Sequence, residues 1–501
     1  MTSTDLTARR APDRHDGDVR TPSDRIFLGG AAGGLAGMIL VVLGACEARS
    51  PFTSDIRGSW PIALVRGPFD DRWVGLLLVY SGIVLLLGAW YCVVMGSERP
   101  LRQLSVVLAA WVAPLLAVPP LFSRDAYAYA ALGQVADRGI NPYHHSPAAL
   151  QNPSFLRFVD PLWRHAHAPY GPLFMDIGRA DASLAGHSIL VSVEGYRLAA
   201  LLGVLLVAVS VPTIARSVGR PESKAFALAV LNPLVLLYLV GGAHNDALML
   251  GLLVSGVAVA VARHPVAGVV LCALAAEVKI PGLIGVVYIG WVWAGQGAGV
   301  SRRLRFVALS VVVAGVTMAV ISEVSGLGWG WLSNLSDPGT VITWLDPATA
   351  LGLATSHVLH AVGISGSVHP VVVTCRAIAL ALAGVITVTM LVRTERYGLP
   401  KALALSLLAV VFLGPIVWPW YETWGVVFLA CVAERWAGRV VILLTTIGCF
   451  ATTPAHVSLS PGHVWALTGV LAVLVIAVTA GVAFARRASH ASLPAPAASA
   501  A

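Results

Sequence analysis

Charge is scarce in this sequence. Asp, Glu, Lys and Arg make up 12% of its 501 residues, about half of what a soluble globular chain carries. That scarcity excludes water as the main solvent for most of the chain. Lysine is rarer still, occurring at Lys224, Lys279 and Lys401 alone. The net charge of +8 comes from arginines spread over short polar segments, not from a basic face interleaved with aromatics, so nucleic acid is not an expected partner. Cysteine is sparse and scattered, at Cys46, Cys92, Cys272, Cys375, Cys431 and Cys449. None of these shows metal-ligand spacing, so neither a disulfide framework nor a zinc site is expected.

What the chain does have is apolar length. Hydrophobic residues make up 57% of it, and they come in runs of about 15–24, the length that crosses a bilayer. Fourteen membrane-embedded helices are predicted, near 26–45, 73–95, 103–122, 196–215, 225–242, 247–262, 266–278, 281–295, 305–324, 369–392, 402–417, 423–433, 439–452 and 463–484. The expected class is an all-α polytopic membrane protein, with some half-length helices and long outside loops. Residues 1–25 read as a disordered cytoplasmic tail, 26–487 as one transmembrane domain, and the Ala/Ser/Pro-rich 488–501 as a second disordered tail.

Orientation follows from the positive-inside rule. With both termini cytoplasmic, the inside segments collect 21 of the 33 basic residues and the outside segments ten. Arg197 and Arg376 fall within spans. The segment from Pro265 to Gly295 carries Glu277, Lys279 and Pro281 at its centre. As one helix it would bury two charges and a proline at mid-bilayer. As a hairpin of two half-length helices it puts Lys279 at a turn, which is the expected arrangement.

Two outside loops are long, Ser123 to Tyr196 and Ser325 to Val368, and loops of that length are usually functional. The first opens with S-R-D-A-Y-A-Y, giving Arg124, Asp125, Tyr127 and Tyr129. Asn141-Pro142-Tyr143 and Pro169-Tyr170-Gly171-Pro172 follow. An Asp just past an apolar helix can reach a cavity at headgroup level and take a proton from a hydroxyl, or simply pair with Arg124. The turn G-G-A-H-N-D supplies His244, Asn245 and Asp246, which suit either sugar contacts or turn and cap chemistry. Lys279, and Arg376 within the tenth span, are candidates for a lipid phosphate. The local alternative for Lys279 is Glu277, although i and i+2 do not share a helix face. V-W-P-W-Y-E-T-W places Trp418, Trp420, Tyr421, Glu422 and Trp424 together, which is either an interfacial belt or a platform for sugar rings. Ser333-Asn334-Leu335-Ser336-Asp337-Pro338, in the second loop, is a further source of acceptor contacts.

Taken in order, S-R-D-x-Y-x-Y, N-P-Y, P-Y-G-P, H-N-D, V-K-x-P and W-P-W-Y make the chain from Arg25 to Arg487 resemble one known family. These are the actinobacterial polyprenol-phosphomannose-dependent alpha-1,6-mannosyltransferases of lipomannan and lipoarabinomannan synthesis, which have the GT-C glycosyltransferase fold. The resemblance implies a polyprenyl phosphomannose donor, a mannan or lipoglycan acceptor, an active site at the outer face of the plasma membrane and Asp125 as the catalytic acid/base. It implies no cofactor, nucleotide sugar or obligatory metal. In this scheme Lys279, Arg376 and Arg124 meet the donor phosphate. Tyr127, Tyr129, Asn141, Tyr143, Tyr170, His244, Asn245, Asp246, Trp418, Trp420 and Tyr421 meet the sugars. A transferase using another polyprenyl phosphate sugar such as arabinofuranose, or a lipid-sugar transporter, are the rivals. A transporter would place its charges near the midplane and show internal repeats.

Overall fold

The computed structural model describes residues 22–46, 72–96, 98–342, 345–364, 366–432 and 434–451. They form helices, and there is no strand among them. The N-terminal part runs α1 (Pro22–Ala45), α2 (Arg72–Met95), α3 (Leu101–Val112), α4 (Asp125–Asp137), the short α5 (Pro153–Leu156), α6 (Pro172–Leu184), α7 (Ile189–Ser217), α8 (Glu222–Ala229), α9 (Asp246–Val261), α10 (Pro265–Val278) and α11 (Gly282–Trp293). Beyond it come α12 (Val300–Ser325), α13 (Pro347–Ala361), α14 (Val368–Val392), the short α15 (Thr394–Tyr397), α16 (Leu399–Leu413), α17 (Pro419–Val432) and α18 (Arg435–Ala451). Five of them, α1, α2, α7, α12 and α14, are long and apolar enough to cross a membrane.

Every predicted span through 439–452 overlaps helical structure. The 463–484 span and the 488–501 tail lie outside the described residues, as do residues 1–21 of the N-terminal tail. Pro22 to Arg25, expected in that tail, instead form the first turn of α1, where Asp24 pairs with Arg99 at 2.6 Å. The third predicted span is shorter than expected. Pro114 cannot donate to the helix ladder, so α3 stops at Val112 and continues as a 3₁₀ segment, Ala113–Ala117.

The 225–242 span is broken rather than continuous. Pro233 ends α8, and the chain re-forms as a π-helical segment, Val235–Val240. The fully buried Asn232 repairs the break. Its side-chain amide donates to Leu228 O at 3.1 Å and Thr445 Oγ1 at 2.8 Å, and its Oδ1 accepts from Leu234 N at 2.9 Å. Buried backbone groups need such partners where no water reaches.

Packing among these helices relies on small residues, as expected where lipid removes the hydrophobic drive for helix association. Gly30, Gly37 and Gly44 of α1 recur every seven residues and face Ala89, Gly82 and Gly75 of α2. A Cβ at Gly37 would lie 2.8 Å from Gly82 O, and one at Gly82 would lie 2.6 Å from Gly37 O. Central α8, α9 and α17 are almost entirely buried, whereas α12 and α14 expose Val and Leu along most of their length. α10 and α11 form the expected hairpin, with Lys279 in extended backbone between them.

Candidate active site

α4 carries the start of the site. Its first residue is Asp125, and a helix turns about 100° per residue. Asp125, Ala128, Tyr129 and Leu132 therefore share one face, and all four line a cleft of about 560 Å³, its open mouth included. Trp163, Ala166, His167, Pro169 and Tyr170 from the first long loop close one side, and Lys279, Trp418 and Tyr421 the other.

Asp125 is held from two directions. Trp163 Nε1 donates to its Oδ1 at 3.0 Å, and His244 Nε2 stands 3.7 Å from its Oδ2. The expected alternative, a pair with Arg124, does not occur. Arg124 is the half-buried N-cap of α4 and has no ion pair among the described residues. The carboxylate keeps 17% of its surface exposed, enough to meet a ligand in the cleft. Trp163 is oriented by a turn in which Asp160 Oδ1 accepts from Leu162 N at 2.8 Å and Asp160 O accepts from Trp163 N at 2.9 Å.

Lys279 enters the same cleft from the hairpin turn. Its ammonium donates to both oxygens of the fully buried Asp246, at 2.9 and 2.8 Å. It also lies 4.2 Å from the Tyr421 ring centroid and 5.4 Å from that of Trp424. Trp424 Nε1 adds a third bond to Asp246, at 2.7 Å. Asp246 thus turns its side chain to the cleft wall instead of capping α9. Glu277, the local alternative partner of Lys279, points away and accepts from Leu173 N at 3.3 Å. Glu277 lies on the last turn of α10 whereas Lys279 follows in extended backbone, and the two side chains leave in different directions.

Aromatic rings build the remaining wall. Trp418 stacks on Trp420 with centroids 5.1 Å apart and planes 4° from parallel, and Trp420 stacks in turn on His244 at 4.0 Å. Tyr421 stacks on Trp424 at 4.5 Å. Tyr129 donates to Asn245 Oδ1 at 3.2 Å and meets Tyr170 edge-on. Burial pushes the Tyr170 phenol well above its ordinary range, so it stays protonated and able to donate. His244, Asn245, Asp246 and Trp420 thus stand behind the lining and orient it.

Other expected residues lie elsewhere. Tyr127, about 200° around α4 from Asp125, turns its back on the cleft and stacks on Phe158 at 5.9 Å. Asn141 makes a turn with Tyr143 N and donates to Leu327 O at 3.1 Å, while Asn334 donates to Tyr143 O and Ala168 O. The N-P-Y segment therefore fastens the two long loops to each other and does not line the cleft. Arg376 is also not among the lining residues. Its guanidinium bonds to Gly339 O, Val341 O and Thr349 Oγ1 and pairs with Asp346. Asp346 in turn accepts from Val417 N, so this network braces the loop beneath Trp418.

Sequence reasoning placed Pro169 in a motif but did not single out Trp163, Leu132, Ala166 or His167, and it gave Ala128 no place in the site. The helical period from Asp125 would have found Ala128 and Leu132, but nothing local marks Trp163.

A family model described as the N-terminal domain of alpha-(1->6)-mannopyranosyltransferase matches residues 31–295, and one described as the MptB C-terminal domain matches residues 348–481. A probable alpha-(1->6)-mannopyranosyltransferase of Mycolicibacterium smegmatis is 32% identical over 464 residues, covering 84% of this chain and 82% of its own length. Alpha-(1->6)-mannopyranosyltransferase A of Mycobacterium tuberculosis is 31% identical over 458 residues, covering 87% of each chain. Alpha-(1->6)-mannopyranosyltransferase B of Corynebacterium glutamicum is 28% identical over 483 residues, covering 87% of this chain and 78% of its own. No solved structure is a significant match. With one family model matching more than half of the chain, a second matching residues 348–481, and relatives aligned along most of its length, the chain belongs to the alpha-(1->6)-mannopyranosyltransferase family.

Proposed function

We propose that this protein is a GT-C glycosyltransferase that moves mannose from a polyprenyl phosphate onto an alpha-1,6-mannan acceptor at the outer face of the plasma membrane. The observation that carries this reading is the meeting of Asp125 and Lys279 in one aromatic-walled cleft. Sugar transfer needs a base for the acceptor hydroxyl and donors for the departing phosphate. The names of the relatives support mannose as the sugar transferred.

In this mechanism the donor's isoprenoid tail stays among the apolar helices while its phosphate meets Lys279; Arg124, expected beside it, is not among the cleft-lining residues. Two of the three ammonium hydrogens of Lys279 go to Asp246, which leaves the third for a phosphate oxygen. Asp125 accepts the acceptor's hydroxyl proton as the oxygen attacks C1 from the face opposite the phosphate. A beta-linked donor therefore gives an alpha product. Tyr129, Tyr170, Trp418 and Tyr421 supply stacking faces and hydroxyls for the sugars.

The test is transfer by the purified full-length protein in lipid vesicles, with polyprenyl phosphomannose and polyprenyl phosphoarabinofuranose offered separately to an alpha-1,6-mannan acceptor. Mannose transfer to a new alpha-1,6 linkage, identified by NMR, is expected. Transfer from the arabinose donor alone would contradict the assignment.

A further inference from the structure

His244 lies in the turn between the π-helical segment and α9 and has no exposed surface. Its Nδ1 is 2.8 Å from the carbonyl oxygen of Tyr238. A carbonyl accepts and never donates, so Nδ1 carries its hydrogen whether the ring is neutral or charged. Stacking on Trp420, with 27° between the planes, fixes the ring. Nε2 is the atom left to titrate. It has no hydrogen-bond partner among the described residues and stands 3.7 Å from Asp125 Oδ2.

That separation is informative. A charge-assisted N–H···O bond closes to about 2.7–2.9 Å, and at 3.7 Å the two atoms stand about 1 Å short of that contact, so a small side-chain movement brings them within reach of a shared proton. Burial holds the imidazole below its ordinary pKa, in keeping with a bare Nε2. The other charged groups facing the ring are Asp246 of α9 and Lys279 of the α10–α11 turn, and these neutralise each other at 2.8 Å. Asp125, from α4, is the unbalanced charge at the imidazole.

We propose that His244 is a positioning residue that shares the proton Asp125 removes from the acceptor, so that the base is an Asp125–His244 pair; this rests on Asp125 being the base of a sugar transfer. The acceptor oxygen bonds to C1 as the C1–O bond to phosphate breaks, and that bond's electron pair leaves on the phosphate. The hydroxyl proton goes to Asp125 Oδ2 and is then held between Oδ2 and Nε2. After the product departs it returns to water through Asp125, the exposed member of the pair. Both groups regain their starting state.

Two measurements decide the matter, both on the full-length protein in vesicles or micelles. The first needs no substrate: the titration of His244 is followed by NMR with labelled histidine, its signal assigned by its loss in His244→Gln. An opposite charge within about 4–6 Å raises a pKa by about 1–3 units, so Asp125→Asn is expected to lower the His244 midpoint by about one unit or more. An unchanged midpoint overturns the pair. The second is kinetic. His244→Gln retains an N–H able to orient Asp125, and His244→Asn retains a donor for Tyr238 O, but neither accepts a proton. Both are expected to lower kcat about 100-fold, with KM for donor and acceptor within twofold, and to displace the acid limb of the pH–kcat profile. Wild-type kcat and an unmoved limb in His244→Gln would overturn the proposal. Absence of mannose transfer by the wild type would instead overturn the mannosyltransferase reading, while the NMR titration would still decide whether the pair exists.

Discussion

Lys279 and Asp246 are 33 positions apart in sequence, yet the ammonium of one sits 2.9 and 2.8 Å from both carboxylate oxygens of the other. Asp246 is fully buried, and Lys279 keeps 13% of its side chain exposed. The pair therefore sets one wall of the cleft and leaves the cation in reach of a ligand. Breaking a buried pair from one side leaves an uncompensated charge and costs about 3–5 kcal/mol. Lys279→Met is expected to lose stability of that order. Asp246→Asn combined with Lys279→Met should lose less than the sum of the single changes. Chemical unfolding in detergent, analysed as a double-mutant cycle, measures the difference.

Tyr127 and Tyr129 separate the two faces of α4. Tyr129→Phe removes the bond to Asn245 and a hydroxyl from the cleft lining, and is expected to raise KM for sugar substrates several-fold. Tyr127→Phe is expected to leave KM within about twofold, because that ring packs on Phe158 outside the cleft. Steady-state kinetics of the two variants, side by side, check the assignment.

The glycine seam between α1 and α2 predicts a steric rather than a chemical effect. Gly37→Val would put its Cβ 2.8 Å from Gly82 O and 2.9 Å from Leu86 N, so the helices must separate. A lower unfolding temperature is expected, whereas the same change at Gly29, where nothing lies within 4 Å, should be nearly neutral. Thermal denaturation of the two variants tests this.

Asp346 gives a pH dependence. Burial pushes its carboxyl up to about 6, against the bonds from Val417 N, Arg376 and Thr349 that pull it down. An acid whose pKa is raised on folding binds its proton more tightly in the native state. Its contribution is complete below pH 4 and is lost as pH rises through about 6. Asp346→Asn is expected to flatten that part of the stability profile, measured by thermal unfolding from pH 4 to pH 7.

Much of the fold was legible because lipid demands long apolar runs and penalises charge within them. Glu277, Lys279 and Pro281 at the centre of one run announced the hairpin. The broken span at Asn232-Pro233 was masked, since its apolar residues look the same whether the helix is continuous or repaired by Asn232. The site was legible by motif but not by direction. Tyr127 and Tyr129 are equivalent in a written pattern, and only the helical turn beginning at Asp125 separates them. The acid facing Lys279 and the donor from Trp163 to Asp125 depend on contacts 33 and 38 residues apart, which no local spacing encodes. Arg376, expected beside the lipid phosphate, is instead bonded to loop carbonyls.

The central claim is that Asp125 removes the acceptor's proton, and general acid–base catalysis of this kind contributes about 10²–10⁴-fold. The most direct test is kcat for mannose transfer from polyprenyl phosphomannose by Asp125→Asn, with both substrates saturating and folding verified by circular dichroism. A loss within that range, with donor binding retained, is expected. Transfer at near wild-type rate by the Asn variant would contradict the account.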